Sequence, residues 1–462
     1  MLFERIYEEG LAQASYFIGC QRKGEAIVVD ARRDIQVYLD LAAKNNMKIV
    51  AATETHIHAD YLSGTRELAS ATGATVYLSG EGGDDWQYDF DGTRLYHGDT
   101  IQLGKITVTA QHTPGHTPEH LSFLITDGAV ADAPGYMLTG DFVFVGDLGR
   151  PDLLDEAAGG IDTRFAGARD LFASLKHVFM PLPDHVQVHP AHGAGSPCGK
   201  ALGAVPSSTV GYEKAYAWWA PYVRNNDEQG FIDELLNGQP DAHAYFARMK
   251  KENRVGPALI GYPALEPAEL TAAQVAEKLE ADEAIFIDTR DQHDVHSGTV
   301  EGSLNVPAGP QASNFAAWVL DPERESRPLV VLADTEAQAT HLRDALYRVG
   351  IDTVRYYTAD LEPLINFTPP LVAVDELDTA SRDALVDVRA KNEYAAGTIP
   401  GAQQLSGGSA LWRLDELPAP GSTLLTFCQS GVRNSVVASG LRRAGYTVLE
   451  LEGSYAAWAA QN

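Results

Sequence analysis

Hydrophobic and polar positions alternate in short blocks along the first half of the chain. Apolar runs at residues 25–30 (EAIVVD), 47–54 (MKIVAATE), 74–79 (ATVYLS) and 106–112 (ITVTAQH) are bounded by turn residues and predict strands. Between them, residues 35–45 (IQVYLDLAAKN) and 63–73 (SGTRELASATG) carry apolar side chains at helical spacing and predict amphipathic helices. Polar groups gather where the strands end. From about Leu270 the pattern repeats. Residues 286–307 match residues 385–406 at a constant offset, pairing Asp288 with Asp387, Arg290 with Arg389, Gly298 with Gly397, Thr299 with Thr398 and Gly302 with Gly401. Each copy continues with an apolar strand (328–334, 422–428), a helix (337–350, 433–445) and a further strand (353–357, 447–451). That is an α/β order favouring a parallel sheet. Prolines and acidic residues at 261–267 and 368–370 mark linkers.

Composition narrows the class. The 462 residues carry 35 basic and 63 acidic side chains, a net charge of −28, with 45% hydrophobic and 21% charged residues. Such a chain fills several ordinary cores and is neither a disordered tail nor a coiled coil. Its charge repels phosphate backbones and anionic lipid, so neither nucleic acid nor a membrane is an expected partner. The acidic start MLFERIYEEG is unlike a signal peptide and no later apolar run reaches 18 residues, so a cytoplasmic location is expected. Cys20, Cys198 and Cys428 are odd in number and far apart, which points to reduced thiols. Cys20 lies in an apolar strand and reads as core.

Ten of the 14 histidines precede Gly193. THIHADYLSG places His56, His58 and Asp60 in the loop after a strand. His116 follows a Pro-Gly turn in HTPGHTPEH, Asp141 ends the strand of LTGDFVFVGD, and VHPAHG brings His189 and His192. Imidazoles and carboxylates at four strand ends are what a metal site assembled from loops requires. This succession, HxHxD, TPGH, TGD and PAHG, resembles the metallo-β-lactamase fold over roughly residues 1 to 250, which implies an αββα sandwich with metal at one edge. The general motif ends HxHxDH, whereas Tyr61 stands at its last position here, and a phenol is a poor ligand at neutral pH. Within the superfamily the chain is therefore similar to the persulfide dioxygenases. That resemblance implies one mononuclear Fe(II) held by His56, His116 and Asp141, with His58, Asp60, Tyr61 and His192 as supporting or vestigial residues. Arg150, in GDLGRPDLL, is implied to shape the pocket; it either holds a substrate carboxylate or forms a structural ion pair with a neighbouring acid. Cys198, in GAGSPCGK, resembles the group in which a dioxygenase is fused to rhodanese domains. It is either a redox-active or sulfur-accepting thiol, with Lys200 lowering its pKa, or a buried bystander.

In the last repeat a strand runs directly into CQSGVRNS and a helix. A cysteine so placed has its thiolate stabilised by loop amides and by the helix N-terminus. With the DVR and GTIPGA segments before it, this closely resembles the CxxGxR active loop of rhodaneses. Cys428 is then the sulfur carrier, Arg433 faces an anionic donor or acceptor, and the amides of Gln429, Ser430, Gly431, Val432 and Asn434 cradle the persulfide. The first copy has Ala333 and Gln338 at the matching positions, with Asp334 and Glu336 beside them, so it is expected to be inactive and to act as spacer or interface. His293 and His296 in that copy are expected to be solvated.

The expected architecture is an α/β multidomain chain: an αββα metallo-β-lactamase-like domain (1–258), an inactive rhodanese-like domain (266–366) and an active one (371–462), the last two with central parallel sheets. The resemblances imply oxidation of a low-molecular-weight thiol persulfide, glutathione persulfide or an equivalent, by O2 to sulfite and thiol. They also imply sulfur transfer through Cys428 that interconverts persulfide, sulfite and thiosulfate. Two alternatives stay open: a dinuclear zinc thioester hydrolase of glyoxalase II type, and a C-terminal pair serving as a binding or regulatory module. Duplicated domains in an acidic chain of this size are compatible with a homo-oligomer.

Overall fold

The computed structural model describes residues 1–156 and 163–462. They form two compact units, Met1–Gln239 with Phe246–Tyr262, and Pro240–Tyr245 with Pro263–Asn462. No helix among the described residues is long and apolar enough to cross a membrane.

The first unit holds two six-stranded sheets. One runs in chain order through Leu2–Glu8, Gln13–Cys20, Glu25–Val29, Lys48–Thr53, Thr75–Ser79 and Thr93–Leu95. The other is ordered Ser208–Thr209, Gln187–Pro190, Tyr136–Gly140, Leu121–Asp127, Ile106–His112 and Thr100–Leu103. Successive strand side chains point to opposite faces, so a strand buried along its whole length needs a cover on each side. Gln13–Cys20 is such a strand. Ala14, Tyr16, Ile18 and Cys20 pack with Val29 against Val108, Phe123 and Ile125 of the facing sheet. Phe17, with Ala26 and Val28 of the neighbouring strand, packs under Tyr38 and Leu68 of the helices Gln36–Lys44 and Thr65–Thr72. On the far side of the second sheet, Met137 and Val188 meet Leu171, Phe172 and Phe231 of the helices Thr163–Ser174 and Glu228–Leu236. The layers are therefore helix, sheet, sheet, helix, and Cys20 belongs to the inner core as the strand pattern predicts.

The second unit holds two five-stranded parallel sheets with identical connectivity. The repeated residues build the same arch in each. Asp288 accepts from Arg290 Nη2 (2.6 Å) and from Thr299 Oγ1 (2.7 Å), and the guanidinium also donates to Gly298 O (2.7 Å). Asp387, Arg389, Thr398 and Gly397 reproduce all three contacts at 2.7 Å each. Gly298 and Gly397 share φ near +148° (147° and 149°), a conformation that a side chain would strain. Four of the five identities found in register are thus the residues that close one loop. Residues Pro240–Tyr245, which the sequence reading places in the first domain, pack on the second unit. Tyr245 Oη donates to Asn314 Oδ1 (2.9 Å) and Ala244 N to Gly408 O (2.9 Å).

Asp387→Ala leaves the buried Arg389 without its carboxylate, a change costing about 3–5 kcal/mol. In urea unfolding followed by circular dichroism, the midpoint of the second unit falls accordingly. Glu416→Ala, which removes an exposed partner of Arg413, leaves that midpoint in place.

Candidate metal centre and cysteine loop

Strand ends bring three predicted ligands together in the first unit. One ligand atom from each of His56, His116 and Asp141 lies within 4.8 Å of the others, and all three residues are buried. His116 Nδ1 donates to Arg150 O (3.1 Å), which leaves its Nε2 lone pair facing Asp141 Oδ2 at 3.5 Å. His56 Nδ1 bonds Thr55 Oγ1 (2.9 Å), and that hydroxyl gives its own proton to Asp30, so His56 Nε2 is again the free donor. Both oxygens of Asp141 are buried without a hydrogen-bond partner. Burial, with neighbouring imidazoles, holds His56 well below the ordinary histidine range. Burial also holds His116 near 3 and raises Asp141 to about 6. Two neutral imidazole nitrogens and an orphaned buried carboxylate form a set that a divalent transition cation satisfies, and in this 2-His-1-carboxylate combination Fe(II) fits.

Asp60, His192 and Cys198 form a second group meeting the same 4.8 Å limit. His192 donates from Nδ1 to Ala12 O (3.1 Å), and its Nε2 lies 3.4 Å from Asp60 and 3.6 Å from Asp141. Burial, then the charges of Asp141 and Asp60, push the Cys198 thiol well above its usual range. The expectation that Lys200 activates this thiol is corrected: its ammonium is held by Glu234 and by Asn237 O (3.1 Å), and at Cys198 the charges of Asp141 and Asp60 outweigh that of Arg150.

His58 turns away from the triad onto Asp30, with Nε2 at 3.0 Å from Oδ1. Burial alone lowers its pKa, but the Asp30 carboxylate outweighs this and raises it to about 9. Tyr61, fully buried, donates to Asp30 O (3.2 Å). Arg150 is also fully buried, its guanidinium joined to Asp152 and to Pro197 O (3.1 Å), while its own carbonyl orients His116. His189 lies apart, packed on Phe3 and Tyr16. Three organising residues escaped the sequence reading. Asp30 collects Thr55 and His58. His120 Nε2 accepts from Asp141 N (3.1 Å). Asn253 binds both His58 O and Tyr61 O from a helix far along the chain. His120 closes the histidine-rich segment HTPGHTPEH, and Asp30 ends a predicted strand; nothing local marks Asn253.

In the second unit Cys428 follows the strand Thr423–Phe427 and precedes the helix Val432–Arg443. It is 1% exposed, and Gly431 N donates to its Sγ at 3.1 Å. Gly431 has φ 110°, and this turn is what lets the amide point at the sulfur. The structure gives Arg433 a partner within its own domain: both Nη atoms bind the Glu393 carboxylate (2.7 and 2.8 Å). In the first copy Gln338, at the place of Arg433, folds back onto Asp334 N (2.8 Å), and Thr335 caps Gln338 N (3.3 Å), so that loop closes on itself. The expectation that His296 is solvated is corrected, since it is largely buried with Nε2 at 3.1 Å from Glu450.

Comparison with known proteins agrees with this division. The sequence pattern of the metallo-beta-lactamase superfamily matches residues 9–192, and that of the rhodanese-like domain matches residues 271–363 and 372–461. A crystal structure of a metallo-beta-lactamase from Staphylococcus aureus superposes with a TM-score of 0.67 at 38% identity, covering 77% of this chain and 98% of that one. The mitochondrial persulfide dioxygenase ETHE1 of Mus musculus is 26% identical over 201 residues, 42% of this chain and 68% of that one. A hydroxyacylglutathione hydrolase of Hyphomonas neptunium is 28% identical over 204 residues, 44% of this chain and 71% of that one.

Gly149 approaches the centre so closely that an added Cβ would stand 1.8 Å from Asp141 O and 3.2 Å from His116 Cβ. Gly149→Ala therefore separates two of the three donors, and anaerobic Fe(II) titration of that variant finds a small fraction of the wild-type stoichiometry. Gly135→Ala, where an added methyl meets nothing within 4 Å, leaves it unchanged.

Proposed function

The chain belongs to the metallo-beta-lactamase superfamily and continues into two rhodanese-like domains, and on that footing we propose that it is a two-site enzyme of sulfur metabolism. Its first site oxidises a low-molecular-weight thiol persulfide, and its second moves sulfane sulfur through Cys428. The observation that carries the reading is the donor set: His56, His116 and Asp141 converge, while His58 is withdrawn onto Asp30 and Tyr61 replaces a further imidazole. The similarity to a persulfide dioxygenase supports it.

The overall reaction at the first site balances as RSSH with O2 and H2O giving RSH, sulfite and two protons. A single Fe(II) held by the triad would supply open positions where O2 and the terminal sulfur meet. The protein's part is orientation. Thr55 and the Arg150 carbonyl fix both imidazole tautomers, and His120 fixes the backbone of Asp141. His192 Nε2 and Asp60 Oδ2, facing each other beside Asp141, can hold a proton next to the reacting atoms.

At the second site the Cys428 thiolate attacks the outer sulfur of thiosulfate. The S–S bond breaks, sulfite leaves with the electron pair, and the cysteine becomes a persulfide. A thiolate or sulfite then takes the terminal sulfur, and the Cys428 thiolate returns. The Gly431 amide and the helix N-terminus face the charge through both steps. The Glu393 carboxylate neutralises Arg433, so the amides carry more of this task than the guanidinium does.

A second reading rests on Asp60, His192 and Cys198, which could hold another cation beside Asp141 and make a dinuclear zinc thioester hydrolase. Metal count and O2 uptake separate the two. Protein loaded anaerobically with Fe(II) and given glutathione persulfide consumes O2 and releases sulfite, and His116→Ala abolishes both. Two bound zinc ions with no O2 uptake would establish the hydrolase. Cys428→Ser abolishes sulfur transfer from thiosulfate to cyanide while O2 uptake persists; undiminished transfer would make the C-terminal pair a binding module.

A further inference from the structure

The first rhodanese-like copy has no nucleophile, yet its side chains reach the loop of the second. His296, on the helix Gln292–Ser297, donates from Nε2 to Glu450 Oε2 (3.1 Å). The same oxygen accepts from Asn434 Nδ2 (3.1 Å), and Arg442 holds the other oxygen of Glu450 (2.9 Å). Asn434 lies in the first turn of the helix after Cys428 and is 1% exposed. The acceptor on Glu450 fixes which way its amide faces. One residue further on, Ser435 Oγ donates to Asn305 Oδ1 (2.9 Å), and Asn305 N donates to Ser439 Oγ (3.0 Å). Asn305 is itself tied to the carbonyls of Asp288 and Arg290, inside the first copy's arch (3.0 and 2.9 Å). Gln292 completes the contact, with Cγ placed 3.4 Å from where a Cβ on Gly431 would stand.

These contacts are not shared between the two copies. At the offset that aligns the arches, His296 falls on Ala395; at the offset that aligns the loops, Asn434 falls on Ala339. The silent copy thus has a polar link to its neighbour's loop that its own loop never receives. Burying Glu450 would by itself favour its neutral form, but His296 and Arg442 hold it below the usual carboxylate range. Glu450 is therefore a buried carboxylate anchored from both copies.

Resting on the reading of Cys428 as the sulfur carrier, we propose that His296 of the silent copy is a positioning residue for sulfur transfer, acting through Glu450 on Asn434 to hold the turn whose Gly431 amide faces the Cys428 sulfur. His296 touches neither donor nor acceptor. It fixes the direction of the Gly431 amide and the helix N-terminus that the thiolate and the persulfide anion need, and that direction matters more in the transition state than in the bound state.

The test uses the full chain with thiosulfate and cyanide. His296→Ala lowers kcat about tenfold, as loss of one hydrogen bond to a charged group allows, with KM for thiosulfate moving less than twofold. His296→Gln keeps a donor within reach of Glu450 and restores most of kcat. In the double variant His296→Ala with Asn434→Ala, the second change adds little to the first, because both act through one contact. The rate at which iodoacetamide alkylates Cys428, read by mass spectrometry with Cys20 and Cys198 as internal references, falls in His296→Ala and recovers in His296→Gln. O2 uptake by the first unit stays unchanged in both. The proposal is overturned if His296→Ala transfers sulfur within twofold of wild type, if His296→Gln is no better than alanine, or if the two losses multiply. Failure of the underlying reading looks different: the wild type itself transfers no sulfur, or Cys428→Ser transfers it undiminished.

Discussion

A carboxylate removed from water must find charge or donors nearby, and the first unit is organised around that requirement where its strands end. Asp30, Asp60 and Asp141 are each 3% exposed or less. Asp30 is satisfied from within: Thr55 donates from backbone and side chain, and His58 sits against it as a buried cation. Asp141 is not, since neither oxygen has a partner and burial holds the His56 and His116 imidazoles beside it neutral. One acid of the loop cluster is thus resolved by the protein while its neighbour is left for a cation. The same imbalance explains why His58 is absent from the triad. An imidazole whose Nε2 donates to Asp30 has no lone pair on that nitrogen to offer.

The second unit meets the same demand differently. Asp288 and Asp387 sit at the ends of buried strands as Asp141 does, but each is closed by an arginine two residues on and a threonine beyond. Nothing is left over, and these arches serve shape rather than chemistry. Chemistry sits one strand away, where the Cys428 loop leaves the Gly431 amide directed at a sulfur and the Ala333 loop uses its own on Gln338 and Thr335. Loss of the nucleophile and self-closure of the loop go together, because amides with no anion to face need another acceptor.

Much of this was legible in the chain. Apolar runs bounded by turn residues predicted the strands Glu25–Val29, Lys48–Thr53, Thr75–Ser79 and Ile106–His112, and helical spacing predicted Gln36–Lys44 and Thr65–Thr72. Both signals come from local geometry, which side-chain polarity reports directly. The duplication was visible because the arch needs the same Asp, Arg, Gly and Thr at the same separations. That imidazoles and carboxylates gather where strands end was readable in the chain, while the choice of His56, His116 and Asp141 among them came from the resemblance to the persulfide dioxygenases.

What the tertiary structure alone decided are partnerships across long separations. Arg433 looked free to meet an anion, but Glu393, 40 residues earlier, takes both ends of its guanidinium. Lys200 stands two residues from Cys198 in the chain, yet its ammonium points to Glu234 and the thiol faces carboxylates. Asn253 secures His58 and Tyr61 from nearly 200 residues away (|i−j| of 195 and 192), and His296 reaches the loop of the other copy. A sequence names the chemical groups and, through periodicity, the faces they occupy. Which acid meets which base depends on how sheets and helices stack. Burial makes that choice consequential, because in a dry interior each ionised group answers to the few atoms that touch it.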